Sequence, residues 1–200
     1  MNKLLILFAL ISSCFSSETR EKQSSESDKI LVVYLSRTNN TKAVAEIIQK
    51  QVGGDLVALE LEVPYPEDYS AIVKQVAKEN ETGFLPPLKT RVDLDKYDII
   101  FLGFPTWGMR LPPPMKSFLH ANDLSGKTLI PFNTNGGYGV GSCFQTIKEL
   151  CPDSEILKGF SIRGGSERDG IYLAIKGNRK TQAQKNVDGW LKEIGMPKEK

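Results

Sequence analysis

The segment from Ser36 to Thr41 is the part of this chain whose residue types best suit ligand chemistry. It separates an unbroken apolar run, Ile30 to Leu35, from residues with the apolar spacing of a helix. A helix N-terminus offers free backbone N–H groups and partial positive charge, and short hydroxyl and amide side chains add further donors. The segment therefore predicts a site for phosphate or another anion, with an ordinary helix cap as the alternative. Its residues are Ser36, Arg37, Thr38, Asn39, Asn40 and Thr41.

Two later loops combine an aromatic ring with glycine. The first follows the apolar run at 99–104 and consists of Pro105, Thr106, Trp107 and Gly108. The second follows the run at 128–132 and includes Thr134, Asn135, Gly136, Gly137 and Tyr138. Trp107 and Tyr138 would each offer a flat face to a planar ligand. The alternatives are core packing for Trp107 and an ordinary exposed loop position for Tyr138.

The elements that must position these loops alternate between strands and helices. Strands are expected at 30–35, 55–61, 99–104, 128–132 and 156–162, with helices between them and a terminal helix through Val187 and Trp190. This alternation predicts an α/β fold with a doubly wound, five-stranded parallel sheet. Pro131 is expected near a strand end, because proline lacks the N–H that a sheet interior needs. Ligands in such sheets bind beyond the carboxyl ends of the strands, so the three loops should converge on one site.

Composition excludes several classes of function. The formal net charge is +2 and there is no long basic block, which argues against nucleic acid as a partner. One histidine, His120, and three scattered cysteines do not suggest a metal site. If Cys143 and Cys151 lie on one helix, their Cα atoms are about 12 Å apart, too far for a disulfide, so they are expected to be core or partly buried thiols.

The N-terminus resembles a bacterial lipoprotein signal. Residues 1–13 hold a short basic head and a compact apolar core, and Cys14 follows at the position that receives lipid in such signals. The polar stretch 14–29 is expected to be a flexible tether before a domain at 30–200. The resemblance implies export and lipid anchoring to a bacterial membrane, periplasmic or on the outer face, through Cys14 alone. The alternative is a cleaved soluble export signal.

From about Ile30 to the C-terminus, the order of loops resembles the flavodoxin family. Ser36, Thr38, Asn40 and Thr41 match the family's phosphate loop, and Asn39 stands where the family has glycine. Asparagine shares glycine's left-handed conformation more readily than other residues, so the loop shape should be kept. The resemblance implies strand order 2-1-3-4-5 and FMN as cofactor. Residues 36–41 would bind its phosphate, and residues 105–108 and 134–138 its isoalloxazine ring.

The resemblance implies a flavoprotein that carries electrons between redox partners, which would be a redox protein or a small-molecule acceptor. Flavodoxins resemble one another in being strongly acidic, and this chain is not. Two alternatives stay open, namely an FMN-dependent NAD(P)H/quinone-type reductase and a lipoprotein adaptor that kept the fold without flavin. We expect slow turnover with nicotinamide and quinone, and rapid one-electron exchange with a partner. A Rossmann-type dinucleotide site is disfavoured, because the glycine-rich stretch follows the fourth strand instead of the first.

Overall fold

A computed structural model describes residues 29–196 of the chain. The proposed signal peptide, Cys14 and all but the last residue of the tether lie outside the described residues. The strands are β1 (Ile30–Tyr34), β2 (Asp55–Ala58), β3 (Ile99–Pro105), β4 (Thr128–Asn135), β5 (Glu155–Ile156) and β6 (Phe160–Arg163). The helices of four or more residues are α1 (Asn40–Val52), α2 (Tyr69–Thr82), α3 (Pro113–Ala121), α4 (Cys143–Leu150) and α5 (Asn178–Glu193).

All strands of the sheet are parallel, in the order β2-β1-β3-β4-β5, and β6 also pairs with β4. This confirms the predicted α/β class and the strand order 2-1-3-4-5. The two unbroken apolar runs become the central strands β1 and β3, because strands covered by helices on both faces bury every side chain. The sheet order reverses between β1 and β3, so their carboxyl ends flank the expected ligand position.

Two hydrophobic layers hold helices against the sheet. On one face, the predicted stripe of α1 (Val44, Ile47 and Ile48) packs with Val187 and Trp190 of α5. On the other face, Met115 and Phe118 of α3 and Ile147 of α4 pack over β1, β3 and β4. The terminal helix therefore docks onto the core as its spacing predicted. Within the described residues, no helix has both the length and the apolar character required to cross a bilayer.

Two expectations about the last strands are wrong. The segment expected as one strand at 156–162 forms two short strands, β5 and β6, that pair with different parts of β4. Pro131 lies inside β4, which runs from Thr128 to Asn135. The Leu129 carbonyl accepts a hydrogen bond from the Leu157 N–H, so the backbone polar groups of Leu129 face the side of β4 where β5 and β6 lie. The backbone of residue 131, two positions further along, faces that same side. The neighbouring chain is interrupted there, between β5 and β6. A proline at position 131 therefore breaks no hydrogen bond of the sheet.

Candidate functional site

The loop between β1 and α1 has the shape of an anion site. Asn39 precedes the helix with φ of 62° and ψ of 5°, the left-handed conformation predicted for it. Ser36 Oγ accepts a hydrogen bond from the Lys42 N–H at 3.2 Å and is the side chain that caps this helix end. No hydrogen bond among the described residues uses the backbone N–H groups of residues 36–41. Capping thus occupies one side chain, and a run of backbone donors remains at the helix N-terminus.

Asn40 fixes this loop through its side chain. It is buried, and its Nδ2 donates to Thr38 Oγ1 at 2.9 Å and to the Tyr172 carbonyl at 2.6 Å. Its Oδ1 accepts from the backbone N–H groups of Ala174 and Ile175 at 2.9 and 3.1 Å. The amide is therefore committed to holding the loop, and only the backbone N–H of Asn40 remains for a ligand.

A buried hydroxyl pair joins the first loop to the third. Thr41 Oγ1 and Thr134 Oγ1 lie 2.8 Å apart, and both residues are almost fully buried. One hydroxyl donates to the other, so one hydroxyl hydrogen of the pair stays available. Thr106 connects the second loop to the third in a similar way, since its hydroxyl donates to the Gly139 carbonyl at 3.0 Å.

The second loop is a tight hairpin that begins at Trp107. The backbones of Trp107 and Arg110 exchange hydrogen bonds of 3.2 and 3.0 Å. The two residues between them, Gly108 and Met109, have φ of 56° and 61°. Turns of this kind require positive φ at both central residues, which glycine adopts freely and methionine does not. Met109 is held there because its carbonyl accepts from the Ser142 N–H at 3.0 Å.

The two aromatic residues occupy different environments. Trp107 packs against the core layer and makes an edge-to-face contact with Tyr65, with ring centroids 5.5 Å apart. Tyr138 is 69% exposed and accepts a hydrogen bond from Arg168 Nη2 at 3.0 Å. The side chain of Asn135 shapes the loop that carries Tyr138, because its Oδ1 accepts from the Gly137 N–H at 2.9 Å. Trp107 is thus partly buried against the core, whereas Tyr138 is exposed and contacts Arg168.

The three loops converge on one cavity of about 760 Å³ at the carboxyl edge of the sheet. This volume falls in the range of small-molecule sites, roughly 300–1,000 Å³. Most of the predicted site residues line it: Arg37, Thr38, Asn40, Thr41, Pro105, Thr106, Trp107, Gly108, Thr134, Asn135, Gly136 and Tyr138. Ser36, Asn39 and Gly137 do not, although Ser36 and Asn39 shape the helix end. The predicted convergence is confirmed, and the ligand contact of each residue stays a prediction.

Sequence reasoning missed two walls of this cavity. One is a face of α2 that includes Ile72, Val73 and Val76. The other is the loop 164–168 beyond β6, which contributes Glu167 and Arg168. The second wall could have been found, because this glycine-containing loop also follows a strand of the sheet. The α2 wall could not, since its residues read only as the buried stripe of a helix.

The two cysteines in the described part of the chain are buried thiols, as predicted. Burial raises the pKa of the Cys143 thiol to about 11 and also raises the pKa of Cys151. Both thiols are therefore neutral at physiological pH. Among the described residues, no group of three or more His, Cys, Asp or Glu side chains is placed to hold a metal ion.

The chain combines a doubly wound parallel sheet, a polar loop at the switch point and a cavity at the carboxyl edge of the sheet. These features are typical of a class of α/β proteins that bind anionic ligands at that edge. Within this class, the chain belongs to the flavodoxin family, whose model matches residues 29–174. No curated protein matches the chain.

Solved structures resemble this chain closely in fold. A candidate flavoprotein from Bacteroides eggerthii is 28% identical, covering 84% of this chain and 98% of its own, with a TM-score of 0.68. A candidate flavoprotein from Bacteroides uniformis is 25% identical, with coverages of 80% and 98% and a TM-score of 0.66. A flavoprotein from Lactobacillus acidophilus, solved in complex with FMN, is 21% identical, with coverages of 72% and 98% and a TM-score of 0.61.

Proposed function

We propose that this chain binds FMN and carries electrons between redox partners. The observation that carries the proposal is the run of backbone N–H groups at residues 36–41, which have no partner among the described residues. Four residues of this loop, namely Arg37, Thr38, Asn40 and Thr41, line the same cavity as Trp107 and Tyr138. Membership of the flavodoxin family supports the cofactor, as does the FMN complex of the Lactobacillus acidophilus protein. Bound flavin would supply the chemistry, since it accepts and donates electrons singly or in pairs.

The first loop suits a phosphate monoester. The donors there are backbone amides and the Thr38 and Thr41 hydroxyls, set at the positive end of the α1 dipole. Arg37 also lines the cavity, but Glu167 neutralises its charge at 2.8 Å. The loop would therefore bind phosphate through many neutral donors, with little help from a free cation.

The second and third loops suit a flat ring with polar edges. Trp107 packs on Tyr65 and can provide one apolar face, and the exposed ring of Tyr138, beside Arg168, can provide the other. The backbone N–H groups of Gly108, Met109 and Gly136 make no hydrogen bond within the described chain. These donors are available to the carbonyl and nitrogen edge of the ring. Stacking on an aromatic face contributes about 1–3 kcal/mol for nucleic-acid bases, which gives the scale here.

Simple electron transfer requires that an edge of the flavin ring reach the protein surface. It does not require an acid–base pair. Gly108, Met109 and Tyr138 are all exposed at the cavity, so a ring between the two loops would present an edge to a partner. The partner would be a redox protein or a small-molecule acceptor. With a net charge of +2, the chain lacks the strong acidity that would attract a basic partner.

A second candidate is an FMN-dependent reductase of small acceptors. It is favoured by Val73 of the α2 wall and Met109 of the second loop, two exposed apolar side chains that line the same cavity. Such a surface suits a flat apolar acceptor such as a quinone. Turnover then also needs a hydride donor, and nicotinamide oxidation by the pure protein separates this candidate from the carrier.

The proposal also places the domain outside the cytoplasm on a lipid attached to Cys14. Support comes from the sequence of residues 1–14 alone. A domain tethered in this way would exchange electrons close to a membrane surface without entering the bilayer.

The deciding experiment is purification followed by titration. We expect a yellow protein that releases FMN in acid, and an apoprotein that binds added FMN at one site. Reduced protein should pass single electrons rapidly to an acceptor and oxidise NAD(P)H slowly. A colourless protein that does not bind added FMN would overturn the proposal and favour a lipoprotein adaptor without flavin. Fast NAD(P)H oxidation coupled to quinone reduction would replace the carrier with the reductase.

A further inference from the structure

Arg37 lies in the middle of the proposed phosphate loop, but its guanidinium group is bound by other parts of the protein. Nε donates to both carboxylate oxygens of Glu167, at 2.8 and 3.0 Å. Nη1 donates to the Pro66 carbonyl at 2.8 Å and Nη2 to the Glu67 carbonyl at 2.5 Å. Every nitrogen of the group therefore has a protein acceptor, and the three acceptors come from two segments distant in sequence.

The first of these segments leads to Trp107. Pro66 and Glu67 directly follow Tyr65, whose ring packs edge-to-face on the Trp107 ring. The Tyr65 hydroxyl donates to Glu79 Oε2 of α2 at 2.5 Å. Tyr65 is therefore fixed at both ends, by Glu79 through its hydroxyl and by Arg37 through the backbone that follows it.

The second segment leads to Tyr138. Glu167 directly precedes Arg168, whose Nη2 donates to the Tyr138 hydroxyl and whose guanidinium carbon lies 5.7 Å from the centre of the Tyr138 ring. The ion pair between Arg37 and Glu167 has side chains only 20% and 14% exposed, so solvent weakens it less than a surface pair. Arg37 thus contacts the chain directly beside Tyr65, which packs on Trp107, and directly beside Arg168, which binds Tyr138.

We propose that Arg37 is a positioning residue that sets Trp107 and Tyr138 on the two sides of the ring site, and that it does not act as the cation for the phosphate. This inference rests on the proposed FMN site. The charge of Arg37 is already balanced by Glu167. The planar fork of its guanidinium group suits simultaneous contact with a carboxylate and two carbonyls. Arg37 therefore couples the phosphate loop to the ring site through protein contacts.

Flavin binding tests this role, because riboflavin shares the ring of FMN and lacks its phosphate. Arg37→Lys keeps the positive charge and loses the fork. We expect it to weaken apoprotein binding of FMN and of riboflavin by a similar factor, about tenfold, since at least two charge-assisted hydrogen bonds are lost. Arg37→Lys combined with Glu167→Gln should weaken binding by less than the product of the separate effects, because both changes break the same contact. A loss confined to FMN would overturn the proposal.

A second readout needs no flavin. The chain has two tryptophans, and Trp190 is buried, so quenching of tryptophan fluorescence by acrylamide in the apoprotein reports mainly on Trp107. Arg37→Lys should raise this quenching severalfold. Arg91→Lys is the matched control, because Arg91 is an exposed arginine paired with Glu62 and does not line the cavity. Equal quenching in wild type and Arg37→Lys would also overturn the proposal.

Failure of the proposed function looks different from failure of this inference. If the wild-type apoprotein binds neither FMN nor riboflavin, the cofactor assignment fails, while quenching still decides whether Arg37 positions Trp107. If Arg37→Lys does not fold, Glu167→Gln replaces it, since that change disturbs only the Nε contact. It should weaken FMN and riboflavin equally, by a smaller factor, and a loss confined to FMN would again contradict a positioning role.

Discussion

Thr41 Oγ1 and Thr134 Oγ1 lie 2.8 Å apart in the interior, and this contact joins the proposed phosphate loop to the loop that carries Tyr138. The two residues are 93 positions apart in the chain. A hydroxyl pair of this kind keeps the two loops at a fixed spacing. The distance between the phosphate site and the ring site of a flavin nucleotide therefore depends on it.

Thr134→Val should weaken FMN binding by about tenfold and lower the free energy of unfolding by about 1–3 kcal/mol, because it leaves the buried Thr41 hydroxyl without its partner. Flavin titration and urea unfolding measure the two effects. Thr181→Val, at an exposed position on α5, is the control and should change neither quantity. Unchanged FMN affinity in Thr134→Val would show that other contacts fix the spacing of the first and third loops.

Asn39→Ala should destabilise the apoprotein by about 1 kcal/mol and weaken FMN binding, because alanine resists the left-handed conformation with φ of 62° that Asn39 adopts. Asn39→Gly should retain FMN binding, since glycine adopts this conformation freely. Thermal unfolding of the apoprotein and flavin titration compare the two variants. Equal stability and equal FMN affinity of the alanine and glycine variants would contradict a left-handed backbone at residue 39.

Stability should fall as the pH rises above about 10, where Tyr97 of the unfolded chain begins to ionise. The hydrogen bond to the Asp55 carboxylate, helped by burial, raises the pKa of native Tyr97 to about 12. The folded chain thus keeps a proton that the unfolded chain releases, so the stabilisation is complete below pH 10 and is lost towards pH 12. Burial and Glu79 raise the pKa of Tyr65 in the same direction. Urea unfolding at several pH values measures the slope, and Tyr97→Phe should flatten it.

The thiols of Cys143 and Cys151 should react slowly with a disulfide reagent in the native protein at pH 8, because both are buried and the pKa of each is raised. The measurement uses a Cys14→Ser protein and absorbance of the released thiolate. Unfolding in urea should expose both thiols at once. Rapid reaction of the folded protein would mean that α4 opens readily.

Replacing Cys14 with Ala should move the protein from the membrane fraction to the soluble fraction, since the variant cannot receive a lipid. Fractionation and detergent extraction of expressing cells measure the distribution. Cys151→Ala is the matched control and should stay in the membrane fraction. Membrane retention of the Cys14→Ala variant would exclude lipidation at that residue as the anchor.

The parts of the fold that follow from local pattern were predictable from sequence. Hydrophobic runs identified β1 and β3, helical spacing identified α1 and α5, and Asn39 was expected to be left-handed because it stands in a glycine position. Long-range pairing was not predictable in this way. Nothing local to Arg37 indicates that Pro66 and Glu67 will accept its hydrogen bonds, and nothing near Pro131 shows that the neighbouring strand is interrupted. The convergence of the three loops on one cavity was therefore predicted correctly, while the contacts of individual polar side chains needed the structure.

The hydrogen bonds of Asn40 set an order for maturation. The amides that hold its side chain come from Ala174 and Ile175, more than 130 residues later in the chain. While the polypeptide is still emerging from the ribosome, β1 and α1 have already been made, but these amides have not. The loop around Asn40 thus reaches its final shape only after Ala174 and Ile175 have been synthesised and folded against it, and tight cofactor loading should follow that step.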